Sequence, residues 1–431
     1  MTAAMKPSNS AGLDAWLSYL EQLHPSAIDM GLERVKTVAE RLDLTTTSAQ
    51  VFTVAGTNGK GSTVRYLETI LRCAGYNTGV YISPHLHHYA ERVRINALQL
   101  AEQEHVAAFA AIEEVRGDIS LTYFEFGTLA ALWLMKQRDL DAWILEVGLG
   151  GRLDAVNIIN ADVALLTSVG IDHIGFLGDD RTGIAREKAG IFRPHRPAIV
   201  GEPDFPNAVA TAALEQDVQL HRVGQDFHYR VTGADTWQFR DSHNFLQDLP
   251  LPQLPLPNAA TAIAALAASK LPVSDQAIRD GLNQAREPGR LQFVSGDKQH
   301  HIDTLLDVAH NPHAANYLVQ ALAHRYPQRE IFAVVGMLHD KDIAGTLAAL
   351  QPAVSRWYFA SLAEPRGASA AQLLENAPSE ANYTECFESV TVAYQKAQED
   401  ALAMSLTMQS TQPLVLVCGS FYTVGKIPTT E

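Results

Sequence analysis

Between Val51 and Thr63 the chain reads VFTVAGTNGKGST, an apolar β-type run that breaks into glycines around one lysine and ends in two hydroxyl residues. Such a segment can cradle phosphate. Glycines let backbone N–H groups crowd round an anion, the lysine neutralises charge, and a hydroxyl at the head of the next helix can ligate Mg²⁺. The spacing departs from the standard phosphate loop: Val54 stands where its first glycine would be, and Gly61 separates Lys60 from Ser62. The bland alternative is a glycine-rich strand-to-helix turn with a solvated lysine. The order strand, loop, helix favours the cradle, with the strand closing over 53–55 and a helix predicted over 62–73.

Further candidates stand where strands should end. Glu146 in ILEVGLGGRLDA follows an apolar run and precedes glycines, Ser83 in YISPHL closes another run, and His173 in TSVGIDHIGFLG follows a third. The carboxyl edge of a parallel sheet is where ligands are presented, and oxygen donors suit Mg²⁺ better than imidazole does. Taken alone, Ser83 before Pro84 is ordinary turn chemistry and His173 an ordinary structural histidine. Arg186, Glu187 and Lys188 in REKAGIF read locally as a solvated helical charge cluster.

These residues need a scaffold. Strand patterns fall at 51–55, 78–83, 142–147, 163–168 and 198–201, with helical segments such as 103–114 and 126–137 between them. The alternation predicts an α/β fold: a P-loop NTPase-like N-terminal domain with a mainly parallel sheet. The stretch from Asp217 to Asp248 alternates aromatic and polar residues, which suggests an antiparallel hairpin appended to that sheet. A proline-rich connector at 250–257 then stops at Asn258, a candidate N-cap for a helix over 259–269, and a further helix is expected over 271–285. The Glu287-Pro288-Gly289-Arg290 turn marks the expected boundary, dividing the chain into 1–287 and 288–431. Beyond it, strands near 304–308, 331–336, 356–360 and 414–418 predict a smaller Rossmann-like α/β domain without a GxGxxG sequence, so dinucleotide binding is not inferred. A nucleotide loop on one domain and a second domain beyond a hinge suggest a cleft that closes on its substrates.

Composition narrows the classes. A chain of 431 residues exceeds one ordinary core, and 47% hydrophobic with 19% charged residues marks a folded globular protein. A net charge of −15 argues against a nucleic-acid surface, so a small anionic substrate has to be met by placed cations. MTAAMKPSNS has no apolar run after its lysine, and no stretch of about 18 apolar residues offers a membrane helix. Cys73, Cys386 and Cys418 lack CxxC spacing, which argues for reduced thiols in the cytoplasm and against a zinc site.

The motifs together resemble a known family. GTNGKGS at 56–62, SPHL at 83–86, ERVRIN at 91–96, LEVGLGGRLDA at 145–155, DH at 172–173, REKAGI at 186–191 and DVAHNPHA at 307–314 are similar to the Mur ligase superfamily. Within it they resemble the bacterial bifunctional folate ligases. The matches span from about Ile28 to Gly419, in the family's order. The resemblance implies an ATP-dependent ligase that phosphorylates the carboxylate of dihydropteroate, or of a reduced folate, and joins it to L-glutamate. It implies that Gly56, Thr57, Asn58, Gly59, Lys60, Gly61 and Ser62 cradle the phosphates and that Asn258, Arg290 and Asp307 contact the nucleotide, linking ATP binding to domain closure. Ser83 and Glu146 match one Mg²⁺ position and His173 a second. Lys188 matches a lysine that is carbamylated beside that second ion, which requires a lowered amine pKa. Ile28, Asp29 and Met30, with Thr122, Tyr123, Phe124 and Glu125 and with Leu153, Asp154 and Ala155, match the pterin pocket. His310, with Asn311 and His313, orients glutamate or the acyl phosphate, or else only caps the next helix.

Two other readings stay open from sequence. One is a related ligase with another acceptor, either a polyglutamylating enzyme without dihydropteroate activity or a cell-wall Mur enzyme. The other is a P-loop switch or regulatory ATPase, weakened by the lack of an NKxD segment after the cradle. A cytoplasmic monomer is expected, with no nucleic-acid or membrane partner.

Overall fold

The computed structural model describes residues 6–8, 11–297, 301–379, 381, 383–407 and 412–428. Most of the N-terminal decapeptide, read above as lacking a secretory signal, lies outside them. The chain divides into two compact units, Met1–Ala285 and Arg286–Glu431.

In the first unit the apolar runs become strands β1 (Gln50–Ala55), β2 (Thr78–Tyr81), β3 (Val93–Ile95), β4 (Leu98–Gln99), β5 (Ala142–Glu146), β6 (Val163–Leu166), β7 (Pro197–Val200) and β8 (Gln219–Arg222). They form one sheet in the order β4-β3-β2-β5-β1-β6-β7-β8. From β2 to β8 every neighbouring pair is parallel, while β3 and β4 run antiparallel. QVFTVA, AWILE and VALL are buried along their whole length, as parallel strands covered on both faces must be. The carboxyl ends of β1, β2, β5 and β6 therefore open on one edge.

Four local expectations need correction. The helix after the cradle starts at Lys60, not Ser62, because Gly59 adopts the left-handed conformation (φ 85°) and turns the chain into the helix at once. The helix expected over 259–269 is Leu256–Ala267, so Asn258 sits inside its first turn and does not cap it. Pro257 loses no hydrogen bond in that turn, which lets the helix begin before Asn258. The helix expected over 271–285 is Asp275–Gln284, capped by Ser274, whose side chain accepts from the Ala277 N–H. The 217–248 stretch is not one hairpin. β8 joins the main sheet, and β9 (His228–Val231), β10 (Thr236–Arg240) and β11 (Phe245–Pro250) make a separate three-stranded antiparallel sheet.

The second unit holds β12 (Gln292–Val294), β13 (Thr304–Asp307), β14 (Arg329–Val335), β15 (Val354–Ala360), β16 (Thr384–Phe387) and β17 (Gln412–Cys418), in the order β12-β13-β17-β14-β15-β16. Only β12 is antiparallel to its neighbour. The expected fold class, a mainly parallel sheet domain followed by a smaller α/β domain, is the one observed. The three cysteines are free, and no described helix is long and apolar enough to cross a membrane.

One buried group fits its surroundings poorly. His105 is fully buried, neither ring nitrogen has a hydrogen-bond partner among the described residues, and the ring meets Tyr89 edge-on at 5.4 Å. Burial lowers its pKa to about 4. The unfolded chain, with histidine near its ordinary value, thus binds more protons between about pH 4 and 6.5, so folding stability rises with pH across that window. His105→Leu should raise the first thermal unfolding midpoint by a few degrees at neutral pH, on the order of 1–2 kcal/mol, and flatten that pH slope. Calorimetry across pH 4 to 7.5 checks both.

Candidate active site

The cradle is held from the next strand over. After β6, the Ser168 carbonyl accepts from Thr57 N–H at 2.9 Å, Ser168 Oγ accepts from Asn58 N–H at 2.9 Å, and Thr57 Oγ1 donates to the Gly170 carbonyl at 3.0 Å. Thr167 Oγ1 donates to the Asn58 carbonyl at 2.6 Å, and a Cβ at Gly56 would stand 1.9 Å from that same hydroxyl. A Cβ at Gly59 would lie 2.5 Å from Oδ1 of Asn258, so Asn258 touches the cradle although it caps no helix. Lys60 Nζ curls back to the Gly56 carbonyl at 3.0 Å. Thr167 and Ser168 carried no motif that would have singled them out.

Beside the cradle, Ser83 N–H donates to Glu146 Oε2 at 3.2 Å, which brings the ends of β2 and β5 together. Glu146 is buried. A hard oxygen pair of this kind suits Mg²⁺. Among the described residues no three His, Cys, Asp or Glu side chains form a ready metal cage, so a second ion would need a donor of another type. Lys188 is where such a donor could arise. Far from the solvated face expected locally, it lies on the helix Arg181–Ala189 and is only 4% exposed. Burial and then the Lys60 ammonium push its pKa down to about 7, against the pull of Asp172 and Asp154. At neutral pH much of the amine is unprotonated. His173 stands in the left-handed conformation (φ 53°) as N-cap of the short helix Ile174–Leu177, next to Asp172.

The three segments matched to a pterin pocket converge. Arg34 ion-pairs with Asp29 at 2.9 Å and with Glu125 at 3.2 Å, tying the first segment to the second. Thr122 caps the helix Tyr123–Lys136 by accepting from Glu125 N–H, while Glu125 Oε2 accepts from Thr122 N–H at 2.8 Å. The other carboxylate oxygen of Glu125, Oε1, is buried and is the one that faces the Arg34 guanidinium at 3.2 Å. Gly148 fits under the Phe124 ring, where a Cβ would come within 2.5 Å, and Gly150 packs on the Met30 methyl. Asp154 accepts from Leu149 N–H at 2.8 Å and Val156 N–H at 3.0 Å. Burial raises its pKa to about 6, opposed by those bonds and by Lys60. Ile28 is exposed. Arg34 was missed from sequence, since GLERV reads as a plain helical surface.

In the second unit, Asp307 ends β13 and accepts from Leu291 N–H and Ala309 N–H, each at 2.9 Å. Burial raises its pKa despite nearby Arg290. Arg290 lies over the Phe421 ring at 5.3 Å. His310 Nδ1 lies 2.9 Å from the Val308 carbonyl. Asn311 caps the helix Pro312–Arg325, accepting from Ala314 N–H, the bland role weighed for it. A cavity of about 1040 Å³ in the first unit lies elsewhere, between β8, the three-stranded sheet and the far end of the helix that begins near Asn258, and includes none of these residues.

Two family descriptions match the chain: Mur ligase middle domain over residues 54–268 and Mur ligase, glutamate ligase domain, over 289–421. The dihydrofolate synthase/folylpolyglutamate synthase of Escherichia coli K12 is 54% identical over 421 residues, covering 98% of this chain and 96% of the relative. The solved structure of E. coli FolC in complex with DHPP and ADP superposes with a TM-score of 0.91 at 53% identity, covering 98% of each chain. A bifunctional folylpolyglutamate synthase/dihydrofolate synthase with Mn, AMPPNP and L-glutamate bound gives 0.88 at 52% identity, again over 98% of each chain.

Arg34 offers a direct test of how the pocket is held. Arg34→Met leaves Glu125, 4% exposed, without its cation, which should cost about 3 kcal/mol at neutral pH. Adding Glu125→Gln should recover most of it, and a double-mutant cycle on the first unfolding transition measures the coupling.

Proposed function

The chain belongs to the Mur ligase family, in the branch of the dihydrofolate synthase/folylpolyglutamate synthases, and we propose that it is an ATP-dependent ligase that joins L-glutamate to dihydropteroate, forming dihydrofolate, and to reduced folates. The observation that carries this reading is the convergence, on one sheet edge, of a braced phosphate cradle with its Lys60, a buried Lys188 whose pKa is lowered, and an aromatic, acid-lined pocket. A carboxylate is a poor electrophile. Transfer of the γ-phosphoryl group to one of its oxygens, with ADP leaving, makes an acyl phosphate; the neutral amine of glutamate then attacks the carbonyl carbon and phosphate departs.

Each residue has a part in this. Gly56, Thr57, Asn58, Gly59, Gly61 and Ser62 surround the phosphates, and Lys60 offsets charge that builds up during transfer. Asn258, Arg290 and Asp307 contact the nucleotide. Glu125, whose buried Oε1 faces Arg34, and Asp154 accept N–H donors of the pterin; Phe124 and Tyr123 flank its ring, and Ile28, Asp29, Met30, Leu153 and Ala155 complete the walls. His310 orients the glutamate or the acyl phosphate. Mg²⁺, when bound, neutralises phosphate oxygens during transfer. Ser83 and Glu146 would hold one ion. His173 and Lys188 would hold a second once the unprotonated Lys188 amine has added to CO₂ and released a proton, becoming an anionic carbamate. We place the enzyme in the cytoplasm as a monomer.

Purified protein with ATP, Mg²⁺, L-glutamate and either dihydropteroate or a reduced folate monoglutamate should yield a glutamyl adduct of each, read by mass spectrometry. Adduct on the folate alone would leave a polyglutamylating ligase, and ATP hydrolysis without adduct would return the switch reading. For Lys188, isotope-labelled bicarbonate should give a carbamate NMR signal that grows as pH rises through about 7. That signal should vanish in Lys188→Ala, with turnover lower by on the order of 10- to 100-fold. Full activity in Lys188→Ala would remove the carbamate from the mechanism.

A further inference from the structure

The other buried arginine of the first unit has a carboxylate: Arg94 holds Glu68 at 2.8 Å. The half-buried Arg116 and Arg34 have theirs too, Arg116 holding Glu113 at 2.6 Å and Arg34 holding Asp29 and Glu125. Arg92 is different. It is 8% exposed, yet among the described residues no carboxylate pairs with it, and its one side-chain hydrogen bond runs from Nε to His85 Nδ1 at 2.8 Å. Its guanidinium lies 5.5 Å from the ring centre of Tyr89 and 5.5 Å from that of Tyr123. A buried cation without an anion is costly, and one oriented by two rings and an imidazole is organised before any ligand arrives.

Its surroundings say where that ligand belongs. Tyr123 opens the same helix turn as Phe124 and Glu125. The hydroxyl of Tyr81, which approaches Thr128, feels the charges of both Arg92 and Asp154. His85 lies two residues beyond Ser83 in a loop fastened from below: the Glu91 carboxylate accepts from the N–H groups of Leu86, His87 and His88 at 2.6, 2.7 and 2.6 Å. The Arg92 carbonyl in turn accepts from Ile82 N–H at 2.9 Å. Loop and guanidinium are thus locked together between the pterin-pocket segments and the Ser83 turn.

We infer that Arg92 receives the carboxylate of the pterin-bearing acceptor, its terminal N–H groups forming the fork that a carboxylate fits. This rests on the ligase reading above. The acceptor suits the site better than free glutamate does, because an aryl carboxylate matches a guanidinium between two aromatic rings, whereas glutamate also brings an ammonium for which tyrosines and an imidazole that accepts at Nδ1 offer no counter-charge. Arg92 is then a substrate-binding and specificity residue, and Glu91 a positioning residue behind it.

The test compares binding of dihydropteroate with that of its carboxamide analogue, to the full chain, by titration calorimetry. Wild-type protein should prefer the carboxylate by roughly 10- to 100-fold. Arg92→Gln should bind both ligands equally, with the loss confined to the carboxylate and with ADP affinity and the KM for L-glutamate unchanged. Arg92→Lys, which keeps a cation without the fork, should retain part of the preference, and it carries the test if the glutamine variant folds poorly. A preference that survives in both variants, a rise in the KM for glutamate in place of the acceptor, or an equal weakening of both ligands with a lowered melting temperature would each overturn the assignment. Failure of wild-type protein to bind or ligate dihydropteroate would instead count against the ligase reading itself.

Discussion

A Cβ at Gly151 would stand 2.8 Å from the carbonyl oxygens of Glu187 and Lys188, one at Gly190 would stand 2.4 Å from Cβ of Arg152, and one at Gly148 would enter the Phe124 ring. The loop after β5 therefore lies directly on the backbone of the helix Arg181–Ala189 and under Phe124, in the first turn of the helix Tyr123–Lys136. Gly56 makes the same approach to Thr167 from the loop after β1. Without side chains in the way, backbone groups of different strands' loops come within contact distance, and hydrogen bonds such as Arg152 N–H to the Glu187 carbonyl at 2.8 Å fix them there. Such packing leaves little slack, which is what a site requires if its groups are to be aligned before the ligand binds.

That closeness sets the electrostatics. The chain carries a net charge of −15, yet this edge sets the Lys60 ammonium close enough to Lys188 to disfavour the proton of Lys188. Burial of Lys188 contributes more than that repulsion, and the two act in the same direction. A buried ammonium facing another ammonium can be relieved in two ways, by an anion between them or by loss of its own charge. A polyphosphate supplies the first and a carbamate the second, so the chemistry proposed for the site is also what lowers its energy. The acidic groups follow the same logic. Asp154, pushed up by burial, is held in the ionised direction by backbone N–H groups and by Lys60.

Much of this was legible in the sequence because it is written in local patterns. VFTVAGTNGKGST announces strand, loop and helix within a few residues, and continuous apolar runs such as AWILE announce buried parallel strands. Placement at strand ends was enough to bring Ser83 and Glu146 to one edge. What local pattern misjudged was the burial of Lys188: REKAGIF looks like a wet helical face, and only the glycine loop packed on that helix makes it dry. The pairing of Arg34 with Asp29 and Glu125 spans more than ninety positions between its farthest members, so no window of sequence displays it. Resemblance gave Asn258 a nucleotide contact and local pattern gave it an N-cap; the structure sets its side chain against Gly59 of the cradle and corrects the second. A proline-rich run reads equally well as a connector that stops or as a helix that has begun, and Pro257 took the second course.

A ligase that serves two acceptors must hold what they share and leave room where they differ. Dihydropteroate and reduced folates have the pterin and aminobenzoyl parts in common and diverge beyond the benzoyl carbonyl. The structure is tightest at the end proposed for the pterin: Arg34 joins two segments, Glu125 and Thr122 satisfy each other's backbone, and Phe124 lies against Gly148. Toward Ser83 the constraint passes to a loop tied through Glu91, with Ser83, His85 and Leu86 only partly buried and Pro84, His87 and His88 exposed. A rigid pterin end with a more open carboxylate end allows one binding mode to deliver carboxylates of different reach to a single cradle. On that view the second activity needs no second pocket, only room at the open end for acceptors of different length to bring a carboxylate to the same cradle.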